Sequence, residues 1–349
     1  MFRNLFSLLL LTCGLHAGID LRLPTENRHL FTDEPDQFYM YVDRTFEGQK
    51  SQPWEGGAFG FVRNQARING DVICTKFHEG IDIKPLKRDA AGNPLDMITS
   101  ISDGTVSYIS PIAGRSNYGR YVVIEHHWEN SSVYSLYAHL AEITCKPGDP
   151  VKAGDVIGRL GFTGDGIDRT RAHCHLELAM MLSPRFDDWM KGGQNHHGNF
   201  NGMNLTGTDV ARFYQEHEKN TERKFSEFVA ATPVYFKVTV PSKGTPDFVT
   251  RYPWICQGDP AGAVSWEIAF SATGQPVSFT PSQREVSGPT ITAIRPSAIP
   301  HRYLTRNLVT GQENRATLTN GGKQLVTLLM DDFPASEPKT ETPKTETSR

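Results

Sequence analysis

Ala172-His173-Cys174-His175-Leu176-Glu177-Leu178 alternates polar and apolar side chains with a period of two. Residues two apart on a strand share a face, so His173, His175 and Glu177 point one way and Cys174, Leu176 and Leu178 the other. The apolar set is predicted to face a core and the polar set a cleft. By that parity Cys174 belongs to the core and is not a ligand. This is the only His-x-His in the chain. Same-face neighbours on a regular strand stand about 7 Å apart, too far for both histidines to bind one ion easily. One ligand and one catalytic neighbour is the natural division.

A partner for that strand is offered by His78-Glu79-Gly80-Ile81-Asp82-Ile83-Lys84-Pro85. Gly80, two isoleucines and Pro85 oppose a helix. In a fully extended strand His78 and Asp82 would lie about 13 Å apart, so the chain has to bend, and Gly80 is where it can. An imidazole and a carboxylate are both good zinc ligands, but two do not make a site. Two other His-x-x-x-Asp spacings occur, His16/Asp20 and His29/Asp33, so the spacing alone is weak evidence. A fifth element, Tyr134-Ser135-Leu136-Tyr137-Ala138-His139-Leu140, places His139 at the end of a strand-like run.

Around these segments the chain reads as mainly β. Between 72 and 182, short β-branched runs such as Tyr121-Val122-Val123-Ile124-Glu125 alternate with Gly, Pro, Asn and Asp, the pattern of antiparallel strands. Residues 19–71 are mixed and aromatic and read as an extended arm. Residues 183–205 read as loop and complete a domain over 72–205. One linking helix is predicted over 206–232, its apolar residues at helical spacing from Val210 to Val229 and its end at Pro233. Residues 233–333 return to strands, Leu325-Val326-Thr327-Leu328-Leu329 among them, and suggest a small accessory β-sandwich. The tail 334–349 repeats Pro-Lys-Thr-Glu-Thr and is expected to be disordered.

Together these segments resemble the lysostaphin/LytM-type, or β-lytic, zinc metallopeptidases. The resemblance covers about residues 72–182 and takes HEGID, SDGTV, YGRYVVIEH, YAHL, KPGDPVKAGDVIGRLGFTG and HCHLE in the family's order. It implies an antiparallel, duplicated hybrid motif-like β core and a cell-wall endopeptidase acting on peptidoglycan. It further implies one Zn2+ per chain on His78, Asp82 and His175, with His139 and His173 flanking the catalytic water. Two stretches depart from the pattern, a polar insertion over 87–93 and a longer lead, 164–171, into the His-x-His strand. No His-Glu-x-x-His occurs, so proton transfer falls to histidines, whose ordinary pKa near 6.5 suits it. Glu177 is either a hydrogen-bond partner of a ligand or solvated. A non-catalytic wall-binding or amidase-regulating scaffold, and a zinc peptidase acting on proteins, are the other readings.

Composition narrows the rest. With 36 Lys+Arg against 39 Asp+Glu, a formal net charge of -3 gives no support to nucleic-acid binding. No apolar run of about 18 residues is present, so no transmembrane helix is expected. Residues 1–18 carry Arg3, an apolar Leu5 to Leu15 and Ala17 at a plausible cleavage point, which reads as an export signal to a periplasmic or extracellular location. Cys13 is an alternative lipid anchor, though Thr12 before it fits poorly. Export would leave Cys74, Cys145, Cys174 and Cys256, enough for one or two disulfides. Of the remaining histidines, His126 and His127 are expected to be structural and His196 and His197 exposed or at the groove. Phe38, Tyr39, Tyr41 and Trp54 are expected to cover the core or wall a cleft.

Overall fold

The computed structural model describes residues 18–190, 193 and 195–335. The expected signal segment, Cys13 and most of the tail lie outside them. The fold is mainly β and its named sheets are antiparallel. The central sheet has seven strands. Four run in the order Gly104–Ser110, Tyr121–Trp128, Ser131–Ala138 and Cys174–Met181, with Pro150–Val151 at one edge. Beyond Cys174–Met181, two short strands share the next position end to end. Ile81–Ile83 pairs with its first half, and Leu205–Gly207 with its second. Every residue of Cys174–Met181 is buried, as a strand flanked on both edges and covered on both faces must be.

The alternation read from sequence holds. Cys174, Leu176 and Leu178 pack into the main hydrophobic core beside Ile81, Ile83 and Tyr137. Cys174, Cys74, Cys145 and Cys256 are all free thiols, so no disulfide forms among the described residues. The aromatic arm covers the core: Phe38 and Tyr39 are buried, and Tyr39 stacks on Trp54. The end of that arm is paired strand and not loop. Gly60–Ile68 forms a hairpin with Asp71–His78, in a register broken between Phe61 and Arg63.

Three expectations are corrected downstream. The linking helix is two helices, Val210–Lys219 and Phe225–Ala230. The chain leaves the first at Asn220, whose backbone is extended and whose side chain accepts from Glu222 N, an alternative to helical pairing that Asn favours. In place of a sandwich, the C-terminal part has a sheet of four strands, ordered Pro276–Ser282, Ser265–Ser271, Val234–Pro241, Thr290–Ile294, and a separate hairpin of Val309–Gln312 with Arg315–Leu318. Finally, Leu325 to Leu329 lies in a helix, Asn320–Leu329, capped by Thr319 through its hydroxyl on Gly322 N. Its Val326, Leu328 and Leu329 are buried in the main core, which a helical turn achieves as well as a strand.

Candidate metal and catalytic site

His78 ends the strand Asp71–His78, and Asp82 sits in the middle of Ile81–Ile83. Between them the chain turns at Glu79-Gly80. A side chain at Gly80 would put its Cβ 2.3 Å from Leu176 O and 3.0 Å from His175 Cε1, so only glycine lets this turn lie against the neighbouring strand. Asp82 is the register partner of His175, which brings carboxylate and imidazole face to face across the sheet. On its other side His175 pairs with Ala138, so the next residue, His139, leaves that strand beside the cluster. His139 does so with φ 63°, a left-handed backbone uncommon outside glycine.

The three expected ligands converge. His78 Nε2 lies 3.1 Å from His175 Nδ1, His175 Nδ1 2.9 Å from Asp82 Oδ1, and His78 Nε2 3.1 Å from Asp82 Oδ1. All three residues are buried. The far nitrogens fix which lone pairs point inward. His78 Nδ1–H donates to Ala58 O at 2.8 Å, and His175 Nε2–H donates to Glu177 Oε1 at 3.0 Å. Rings holding one proton each, on those far nitrogens, would turn lone pairs toward each other and toward the carboxylate. Three acceptors at such distances repel unless a cation or a proton lies between them. Corners of a triangle this size lie about 1.8 Å from its centre, so the three donors are spaced as residues that would hold one zinc at bonds of about 2.0–2.2 Å. Donor types and spacing fit zinc.

Electrostatics point the same way. Burial opposes charge on His175, but hydrogen bonds to Asp82 and Glu177, with their charges, outweigh it and raise its pKa to about 10. Burial works against ionised Asp82 too, but the His173 and His78 charges hold its carboxyl well below the usual range. For His78, burial dominates and lowers the pKa. The pocket thus wants one net positive charge at the corner where the three donors meet.

His139 and His173 complete the cleft, their rings 4.8 Å apart at the centroids. His139 Nδ1–H donates to Thr163 O at 2.9 Å, leaving its other nitrogen open. Burial, and then the nearby His173 and His175, push its pKa well below 6.5. His173 Nδ1 faces Arg171 O at 2.6 Å while its Nε2 stands 3.4 Å from Asp82 Oδ1. The cleft they line encloses about 280 Å³. A larger cavity of about 460 Å³ near Trp128 and Glu222 is walled by surface charges, so chemistry and not volume marks the site.

All five sequence-predicted residues are together, and Glu177 is a buried partner of His175 and not solvated. Its Oε1 also accepts from Tyr118 at 2.6 Å. Tyr118 was not anticipated. Nor was Arg63, whose Nη2 donates to Asp82 Oδ2 at 2.5 Å. No local spacing signals either, since both contacts are made only in the folded chain. His197 lies elsewhere, its Nδ1 3.0 Å from Tyr108 OH, and His126 is tied between Asp103 O and Ser135 Oγ, as expected of a structural residue. The two departures from the family pattern clasp each other, and Asp165, Gly166, Ile167 and Arg171 of the second line the cleft. Arg88 donates to Arg169 O and Thr170 O, and Arg169 returns a bond to Ala91 O.

Comparison with known proteins agrees with this geometry. Residues 76–185 match the profile of Peptidase family M23. A Pseudomonas aeruginosa protein called a lipoprotein NlpD/LppB homolog is 31% identical over 120 residues, 34% of this chain and 34% of its own length. An uncharacterized protein of Neisseria meningitidis serogroup B is 31% identical over 121 residues, 32% of this chain and 18% of its own. The match therefore spans about a third of one relative and less than a fifth of the other. Among solved structures, a mutant catalytic domain of the prophage-encoded M23 protein EnpA from Enterococcus faecalis is 28% identical, covering 30% of this chain and 68% of that one, with a TM-score of 0.24. Over residues 76–185 the chain carries a domain of peptidase family M23.

Proposed function

We propose that the protein is an exported, zinc-dependent endopeptidase that hydrolyses peptide cross-links of peptidoglycan. The observation that carries the reading is the convergence of three lone pairs from His78, Asp82 and His175, flanked by two more histidines, within an M23 domain. His78, Asp82 and His175 would hold one zinc and leave a coordination position open, as catalytic sites do. When bound, zinc lowers the pKa of its water toward about 7 and polarises the scissile carbonyl. Glu177, itself held by Tyr118, fixes the ring of His175 so that Nδ1 faces the ion.

The hydrogen bonds divide the proton work. His139 has an acceptor on one side only and a depressed pKa, so it is neutral at pH 7 with a lone pair toward the cleft, suited to take the proton of the attacking water. His173, whose Nδ1 faces Arg171 O and whose Nε2 stands beside Asp82 Oδ1 at the cleft, is placed to assist the oxyanion or the leaving amine. The Pseudomonas relative, named as a lipoprotein, supports an envelope location, as does the signal-like reading of residues 1–18. No helix among the described residues is long and apolar enough to cross a membrane.

Digestion of purified sacculi tests the reading. Soluble muropeptides are expected from the zinc-loaded protein, none after chelation, and recovery on adding zinc. A glycine-rich protein cut while sacculi stay intact would favour a peptidase of proteins. Zinc binding without cleavage of either would favour the scaffold.

A further inference from the structure

Arg63 lies outside the segment that matches the family, yet it reaches the centre of the site. Its strand, Gly60–Ile68, pairs with the one that ends in His78, and the register between them slips between Phe61 and Arg63. Such a bulge re-aims the side chains beside it. Here the guanidinium is anchored at two points: Nε donates to Gly56 O at 2.7 Å and Nη2 to Asp82 Oδ2 at 2.5 Å. Gly56 is itself fixed by close packing, since a Cβ there would come 2.2 Å from Val42 Cγ2. The two oxygens of Asp82 are thereby divided. Oδ1 faces His78 and His175, and Oδ2 is occupied by Arg63.

We propose that Arg63 is a positioning residue that restricts Asp82 to a single donor oxygen and so keeps a coordination position free for water and the scissile carbonyl. This rests on the zinc-peptidase reading. A carboxylate without a partner on its second oxygen can turn and offer both to one cation. An arginine prevents that better than a lysine, because its rigid fork is directional and stays charged at any working pH. The arm thus contributes to the metal site a residue that the family segment lacks.

Cobalt(II) in place of zinc reports coordination number without substrate, because four-coordinate cobalt absorbs visible light more strongly than five- or six-coordinate cobalt. The Arg63→Met chain is expected to bind cobalt and zinc at least as tightly as wild type, with weakened visible bands. Its kcat on sacculi should fall by about tenfold or more while KM changes little, and Arg63→Lys should recover part of both. Where Arg63→Met does not fold, Arg63→Gln, which retains a donor without the charge, should give intermediate bands. Wild-type bands in either variant, or metal affinity lost in step with the bands, would overturn the assignment. If wild type itself released no muropeptides, the peptidase reading would fail while the spectra still decided the role of Arg63.

Discussion

In the metal-free protein His175 lies between Asp82 and Glu177 and keeps its proton to about pH 10, against an ordinary value near 6.5. Its folded pKa is raised, so the stability it contributes is complete below about pH 6.5 and is lost as the pH climbs toward 10. Zinc needs the same Nδ1 without its proton, so each ion bound expels one proton over that window. Apparent zinc affinity should therefore rise about tenfold per pH unit between pH 7 and 9, measured by chelator competition. A flat profile would remove His175 from the ligand set. His139→Ala should keep its zinc and lose about 10²- to 10⁴-fold in kcat, the range of general acid–base catalysis. Loss of zinc in that variant would make His139 a ligand instead. All five expected residues could be named from the sequence because strand parity and the resemblance to the lysostaphin/LytM-type family point to them together. Arg63 and Tyr118 could not, because they act across 19 and 59 positions of sequence through tertiary contacts alone.

At the scale of elements, the turn at Glu79-Gly80 sets the distance between His78 and Asp82. Sequence identified Gly80 as the point of bending, but its tighter constraint is the 2.3 Å approach to Leu176 O that a Cβ would make. Gly80→Ala should destabilise by about 1–3 kcal/mol, the usual cost of overpacking, and weaken zinc binding because Asp82 moves with it. Thermal unfolding with and without zinc measures both, and an unchanged melting temperature would contradict the close packing. The helix Asn320–Leu329 shows the opposite case, where local reading failed. Five residues, Leu325 to Leu329, fit a strand and a helical turn equally. The deciding cue was the Thr319 cap, with a Gly322 that could carry no Cβ within 2.1 Å of Leu308 O.

Among the described residues the main hydrophobic core runs from Leu23 and Phe38 along one face of the central sheet to Trp266 and Phe279, and a smaller cluster around Tyr121 and Leu136 covers the other face. Arg251 joins the C-terminal part to the strand of His175, donating to Met181 O and Leu182 O at 2.8 Å each, while Tyr252 OH accepts from Met181 N. Arg251→Ala should cost about 2 kcal/mol or more, from two charge-assisted bonds, and calorimetry should still show a single transition. Separate transitions for the two parts would contradict a common core. Sequence suggested an accessory β domain because the pattern returns to strands after Pro233, whereas packing between segments leaves no local trace. The central claim, a catalytic zinc on His78, Asp82 and His175, is tested most directly by metal content and sacculus hydrolysis in wild type and His175→Ala side by side. The account predicts about one zinc per wild-type chain with muropeptide release, and neither in the variant. A wild-type chain that took up no zinc, or a variant that kept both metal and activity, would contradict it.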